Sequence, residues 1–435
     1  MDVSQINQHL LNGEIGHPGV LPRVEALHKQ PYQFKHEFGL DRLPMQPGII
    51  IIRGPRQYGK STWLEKNIAE TITEFGAGSA LYLNGDEIKD WSHLRTAITE
   101  LIPLFSPQAA VKRLFIDEMS AVQEWEKAIK RLSDEGVLQD ILVITTGSKA
   151  TDLLRGTERL PGRKGKLSRT NYIFTPISYR EFKSQCGALL GEDTLFTYLL
   201  SGGSPIAANE LVTEGQLPDY IKAQIRDWIL GEFAASGRTR TYLLGVLQVL
   251  YRFMGNPVGQ AKLARESGLL YNTTAQGYMT LLQDLMCVLP AFSFDHNTKL
   301  PSWRKPCKYH FTNLLMAMVF HPQNPRSVQD LKALTLEDGA LLEWAVAQEL
   351  FRRQCIANAF EVPEYLLFWQ SKTNELDFVV DNMHYIEVKR GKESPIDYTW
   401  FTKTHPKSEL MVINQNRFEA KNIHGITLED FLEQF

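Results

Sequence analysis

The chain has 435 residues, 43% hydrophobic and 22% charged, with a formal net charge of −3 at pH 7. That composition excludes a low-complexity chain and argues against a protein that coats polyanions, while the length suits about three domains. The four cysteines (Cys186, Cys287, Cys307, Cys355) are scattered with no C-x-x-C pair, which argues against a zinc site and for a reducing compartment. No apolar run approaches the ~18 residues of a membrane span, and no basic-then-apolar signal opens the chain. The expectation is a cytoplasmic protein without membrane contact.

Residues 1–47 hold Pro18, Pro22, Pro31, Pro44 and Pro47 between short apolar pieces. They read as an irregular lead-in packed along the first domain. Four isoleucines, Ile49 to Ile52, then form a strand that both faces of a sheet would bury. Behind them runs Gly54-Pro55-Arg56-Gln57-Tyr58-Gly59-Lys60-Ser61-Thr62, followed by the apolar spacing of a helix. Strand, glycine loop and helix form the context of a phosphate-binding P-loop. Backbone N–H groups of the loop would cradle a triphosphate, Lys60 would reach its β- and γ-phosphates, and Ser61 would ligate Mg²⁺.

Apolar strands at Ser79–Leu83, Val111–Ile116 and Ile141–Thr145 alternate with helical patterns, which indicates a parallel sheet with crossover helices. Ligands of such sheets bind beyond the carboxyl ends of the strands. The second of these strands runs into Asp117-Glu118, about 55 residues after the P-loop. Asp117 would hold Mg²⁺ and Glu118 would be the general base on the attacking water. Thr146 or Ser148, ending the next strand, would either sense the γ-phosphate or cap a turn. The run Arg155–Arg169 carries six Lys/Arg. Arg163, then Arg155, are the choices for an arginine that stabilises charge on the transferred phosphoryl, with a nucleic-acid phosphate contact as the competing use.

In their order, IIIIRGPRQYGKST, LFIDE, ITTGS, LPGR and FTPISYREF (Phe174–Phe182) resemble the AAA-type ATPases of the archaeal-ATPase and STAND-related clade. That resemblance implies ATP and Mg²⁺ as cofactors and a second module near the carboxyl end. Where such chains often carry aspartate and glycine before that module, this one reads YHFTNLLMA, with Asn313 at the aspartate position.

Residues 183–307 turn helix-rich, broken at Ser201–Pro205. Gly259–Leu289 reads as a helix-turn-helix with a following strand, hence a winged helix. Its candidate recognition helix, Tyr271–Leu285, contains no lysine or arginine, which favours a lid over a DNA reader.

From Lys308 onward come a helix over Leu336–Gln354 and strands at Tyr365–Trp369, Glu375–Val380 and His384–Lys389, the last two a hairpin. Glu387 and Lys389 would project from one face, which Asp377 on the paired strand would share if the register allows. This D-x₉-E-x-K pattern, with Glu343 on the preceding helix, resembles the PD-(D/E)xK restriction-endonuclease-like fold. By that resemblance Asp377, Glu387 and Glu343 would ligate Mg²⁺ and Lys389 would orient the nucleophile.

The expected fold class is α/β. The chain would comprise a lead-in (1–47), a P-loop NTPase core with a parallel sheet (48–182), a helical and winged-helix middle (183–307) and a restriction-endonuclease-like domain (308–435). Two functions fit it: a Mg²⁺-dependent ATPase coupled to nucleic-acid processing, with DNA as partner, or an ATP-dependent assembly switch. In the second, the carboxyl-terminal module is inactive and docks a protein partner or further copies of the chain.

Overall fold

The structure, a computed structural model, describes residues 1–147, 165–337, 339–357 and 364–434. The chain divides into two compact units: residues 1–175 with a short return of the chain beginning at Cys355, and the remainder from Pro176 onward.

In the first unit the isoleucine run is strand β1 (Gly48–Arg53). Ile49 and Ile51 enter one core layer, Ile50 and Ile52 the other, and none is more than 2% exposed. Such a strand must sit between two layers of helices. It lies in a parallel sheet ordered β2-β3-β4-β1-β5, with β2 Ala80–Asn84, β3 Arg113–Asp117, β4 Leu142–Gly147 and β5 Asn171–Ile173. The helix Lys60–Phe75 covers one face; Trp91–Leu101 and Trp125–Asp134 cover the other. Strand β4 therefore stands between β1 and β3, pairing Gly147 with Arg53 and Thr145 with Ile116. The carboxyl ends of all three strands meet in one row.

The lead-in is more regular than its prolines suggest. Helix Val3–Asn12 opens with a capping box between Asp2 and Gln5 and closes on Gly13 in the left-handed region, and Pro22–His28 is a second, short helix. Both caps are written in the sequence and outweigh the irregular reading. From the first helix the Asn7 side chain donates to the Tyr82 carbonyl and accepts from the Tyr82 N–H, both at 2.8 Å. It supplies the edge strand β2 with the pairing that a further strand would provide.

The second unit begins with the helices Tyr179–Leu190, Thr194–Ser201, Pro205–Glu214, Asp219–Ala235 and Arg240–Arg252. Then come Gln260–Glu266, a turn at Gly268, Asn272–Asp284 and strand β6 (Val288–Asp295). Strand β6 pairs antiparallel with β7 (Leu300–Pro301) and β8 (Lys308–Phe311), and parallel with β9 (Leu366–Gln370). Asn313 caps the buried helix Leu314–Phe320 by accepting from the Met316 N–H at 3.0 Å. The long helix starts at Ala340, directly after Gly339, and runs to Ala357. Leu336 and Glu337 instead end a preceding helix, Val328–Glu337, and Gly339, a poor helix former, stands just before the second helix.

The strand expected over Glu375–Val380 is two strands. Strand β10 (Glu375–Leu376) pairs with β9, whereas β11 (Phe378–Val379) pairs with β12 (His384–Val388). The change of partner falls on Asp377, whose carboxylate accepts the Val388 N–H at 2.9 Å; a side chain that bonds backbone in this way competes with the ladder. Beyond β12 the sheet continues β13-β15-β14, with β13 Glu409–Ile413, β14 Phe418–Ala420 and β15 Ile423–Ile426.

Candidate active site

Between β1 and its helix the chain turns through Gln57 at φ +67° and Gly59 at φ +98°, a conformation that favours glycine. At Gly54 a Cβ would stand 2.8 Å from the Phe174 Cβ and carbonyl oxygen, so close approach of two backbones demands glycine there. Tyr58 is fully buried, while Arg56 and Gln57 are exposed. Ser61 and Thr62 are half-buried at the helix amino end, where backbone N–H groups and the helix dipole attract anions. Lys60 is buried, and its ammonium donates to the carbonyls of Gly54 (2.9 Å) and Pro55 (2.7 Å). Burial pulls its pKa down to about 8 against the attraction of Glu118 and Asp117.

Asp117, 2% exposed, ends β3 beside this loop. Its Oδ1 accepts from Ser61 Oγ at 3.1 Å, from Thr146 Oγ1, and from the Glu118 N–H at 3.2 Å. The same Glu118 N–H lies 3.3 Å from Thr146 Oγ1, and Glu118 itself takes φ +48°. A hydroxyl and a carboxylate side by side at a phosphate-binding helix end are the hard oxygen donors that Mg²⁺ takes alongside phosphate oxygens, so Ser61 and Asp117 fit that ion.

Sequence reasoning missed Arg23. Its guanidinium pairs with Glu65 Oε1 at 2.9 Å and stands 3.7 Å from Asp117 Oδ2. Glu65 also accepts the backbone N–H groups of Arg23 and Val24, which ties the second lead-in helix to the P-loop helix. No local pattern announces an arginine acting across about 94 positions; Pro22 marks only the helix start. Arg163, Arg155 and Ser148 lie outside the described residues. Arg169 stacks over the Tyr172 ring, 4.5 Å from its centroid.

In the second unit Asp377, Glu387, Glu343 and Lys389 do come together, with two residues that sequence reasoning did not name, Lys308 and Glu375. Lys389 pairs with Glu387 Oε1. Lys308, 1% exposed, pairs with Glu375 and with Asp377 Oδ1 at 3.1 Å. Burial opposes the Lys308 charge, but Asp377, Glu343 and Glu375 outweigh it and hold its pKa above the ordinary value. Burial, then the nearby Asp377 carboxylate, pushes Glu343 and Glu387 well above the usual carboxylate range. Among the described residues, no three His, Cys, Asp or Glu side chains converge as metal ligands.

Residues 46–183 match the family model described as an AAA domain. An uncharacterized protein of Methanocaldococcus jannaschii is 22% identical over 370 residues, which span 78% of this chain and 74% of that protein. Among solved structures, a Walker-type ATPase of Pyrococcus abyssi aligns at 12% identity and TM-score 0.43, covering 69% of this chain and 94% of its own. The Aeropyrum pernix ORC1 protein in complex with DNA aligns at 12% identity and TM-score 0.33, covering 71% and 95%. No helix among the described residues is long and apolar enough to cross a membrane. With its parallel sheet, P-loop and Asp117, the segment 46–183 carries the fold of an AAA-domain P-loop ATPase.

Proposed function

We infer that this chain is a Mg²⁺-dependent ATP hydrolase that works as a nucleotide-driven switch. The observation that carries the reading is the Lys60–Ser61–Asp117–Thr146 constellation at the carboxyl ends of β1, β3 and β4. Lys60 exchanges its two loop carbonyls for phosphate oxygens when nucleotide enters. Ser61 and Asp117 hold Mg²⁺, which supplies charge neutralisation at the phosphates. Glu118 accepts the proton of the water that attacks the γ-phosphorus, and the bond to the bridging oxygen breaks to release ADP. Arg163 is the arginine assigned to the developing charge.

A second reading, coupling to nucleic-acid processing, draws on the gathering of Asp377, Glu387, Glu343 and Lys389. The cation-free helix Asn272–Asp284 speaks for the switch, since a groove reader without lysine or arginine lacks its phosphate contacts. The test is ATP turnover by wild type, Lys60→Ala and Glu118→Gln, with and without duplex DNA, alongside light scattering with ATP. Turnover lost in both variants, unmoved by DNA and accompanied by ATP-dependent assembly supports the switch. Turnover that DNA stimulates severalfold favours the processing enzyme, and no turnover by wild type refutes both.

A further inference from the structure

The carboxyl-terminal hairpin has the spacing of a metal-dependent hydrolytic centre, yet its side chains are arranged for another cation. The divalent metal that the D-x₉-E-x-K resemblance implies would take an oxygen from Asp377 beside one from Glu387. Both oxygens of Asp377 are committed, Oδ1 to the Lys308 ammonium and Oδ2 to the Val388 N–H. Glu387 Oε1 is committed to Lys389, and Glu375 to Lys308. What remains is Oε2 of Glu387 and the carboxylate of Glu343, the Oε2 of each buried without a hydrogen-bond partner among the described residues, and no oxygen of Asp377.

Access is restricted as well. Lys308, Asp377 and Glu387 are at most 6% exposed. Against Glu343 lies Gly255, at φ +67°, where a Cβ would come within 3.0 Å of Oε1. The cluster reaches solvent at Lys389 and Glu375, whose side chains are 42% and 31% exposed, while the aspartate and Lys308 lie behind them. Lys308 arrives from β8, whose register on β6 pairs Lys308 with Ala291, so its position is fixed by the neighbouring sheet and not by the hairpin. A buried ammonium is tolerable only when paired, and here its pairing is with the aspartate that a metal would need.

We propose that the Lys308 ammonium is the resident cation of this carboxylate cluster, and that the module consequently takes up no divalent metal and performs no metal-dependent strand cleavage. The inference is independent of ATP hydrolysis in the first unit. In this arrangement Lys308, Asp377 and Glu375 clasp β8 to the point where the chain passes from β10 to β11.

The experiment is Mn²⁺ titration of the full chain without nucleotide, by calorimetry and by the Mn²⁺ spin-resonance signal. Wild type, Asp377→Asn, Lys308→Gln and Lys308→Gln/Asp377→Asn are compared, with Asp117→Asn marking binding at the P-loop. Wild type and Asp377→Asn should bind alike. Lys308→Gln should gain one Mn²⁺ with Kd of roughly 10⁻⁴–10⁻³ M, and the double variant should lose it. Cleavage of linear and circular DNA with Mn²⁺ should be absent in wild type. A wild-type Mn²⁺ site that persists in Asp117→Asn and vanishes in Asp377→Asn overturns the proposal. So does a folded Lys308→Gln that gains no site. Should Lys308→Gln fail to fold, the comparison of wild type with Asp377→Asn and Glu387→Gln still decides whether the module binds metal.

Discussion

Thr146 Oγ1 donates to Asp117 Oδ1 and accepts from the Glu118 N–H at 3.3 Å, so one hydroxyl on β4 holds the Asp117 carboxylate and the backbone that follows it. This contact exists because β4 is the direct neighbour of β3 in the sheet. Under the proposed function, a hydroxyl that fixes the carboxylate meant for Mg²⁺ would act on the reaction without touching substrate. Thr146→Val should lower ATP turnover about 10–100-fold, the range for removing such an outer partner, with a raised Mg²⁺ requirement. Thr146→Ser should restore most of the rate. Turnover of Thr146→Val as a function of Mg²⁺ concentration checks this; an unchanged Mg²⁺ dependence would reduce Thr146 to a packing residue.

Glu65 is 4% exposed and takes three hydrogen bonds from Arg23 and Val24. Glu65→Ala should cost roughly 1.5–3 kcal/mol of stability, because donors that met a charged group lose it inside the fold. Arg23→Ala should cost less, its side chain being 46% exposed, but it leaves Glu65 short of its charged partner. Urea unfolding of the two variants should therefore rank Glu65→Ala below Arg23→Ala. The reverse order would mean that Arg23 matters chiefly for Asp117.

Gly54→Ala should impair nucleotide binding more than Gly59→Ala impairs folding, for different reasons. At Gly54 the added methyl meets the Phe174 backbone at 2.8 Å, and backbone cannot step aside cheaply. At Gly59 the penalty is the left-handed φ of +98°, about 1–2 kcal/mol for an alanine, with the His36 ring 3.2 Å away and able to shift. Titration with a fluorescent ATP analogue should show binding lost in Gly54→Ala and weakened in Gly59→Ala.

What could be read from the sequence was what is local. The P-loop, its strand and its helix occupy neighbouring positions and constrain one another, and Asp117-Glu118 follows an apolar strand within a few residues. Asn7, Arg23 and Lys308 could not be read, because each acts on a partner about 70 or more positions away and leaves no periodic trace. Asp377 was readable as an acid but not as a strand break: residues 375–380 alternate like one strand, and only the pull of Val388 and Lys308 divides them. The capping box at Asp2 and Gln5 is local, yet it precedes a proline-rich stretch whose irregular signal masks it.

His310 is fully buried, its ring 5.0 Å from that of Phe378, and neither ring nitrogen has a hydrogen-bond partner among the described residues. Burial, with the Lys308 ammonium two residues before it, pulls its pKa down to about 3. A histidine lowered from about 6.5 stays neutral in the fold, while the unfolded chain takes up a proton. The stability it permits is complete above pH 6.5 and falls as pH drops toward 3. At pH 5 the loss is about 2 kcal/mol relative to pH 8, following from about 1.4 kcal/mol per pH unit below 6.5. Burial lowers His36 to about 3 as well, so it adds an acid sensitivity of the same sign that His310→Phe leaves in place. Replacing His310 with Phe removes the titrating group and leaves no hydrogen bond unmade. Urea unfolding of wild type and His310→Phe at pH 8 and pH 5 should show similar stability at the higher pH. At pH 5 the variant should be the more stable by about 2 kcal/mol, and equal losses in both proteins would assign the acid sensitivity to other groups.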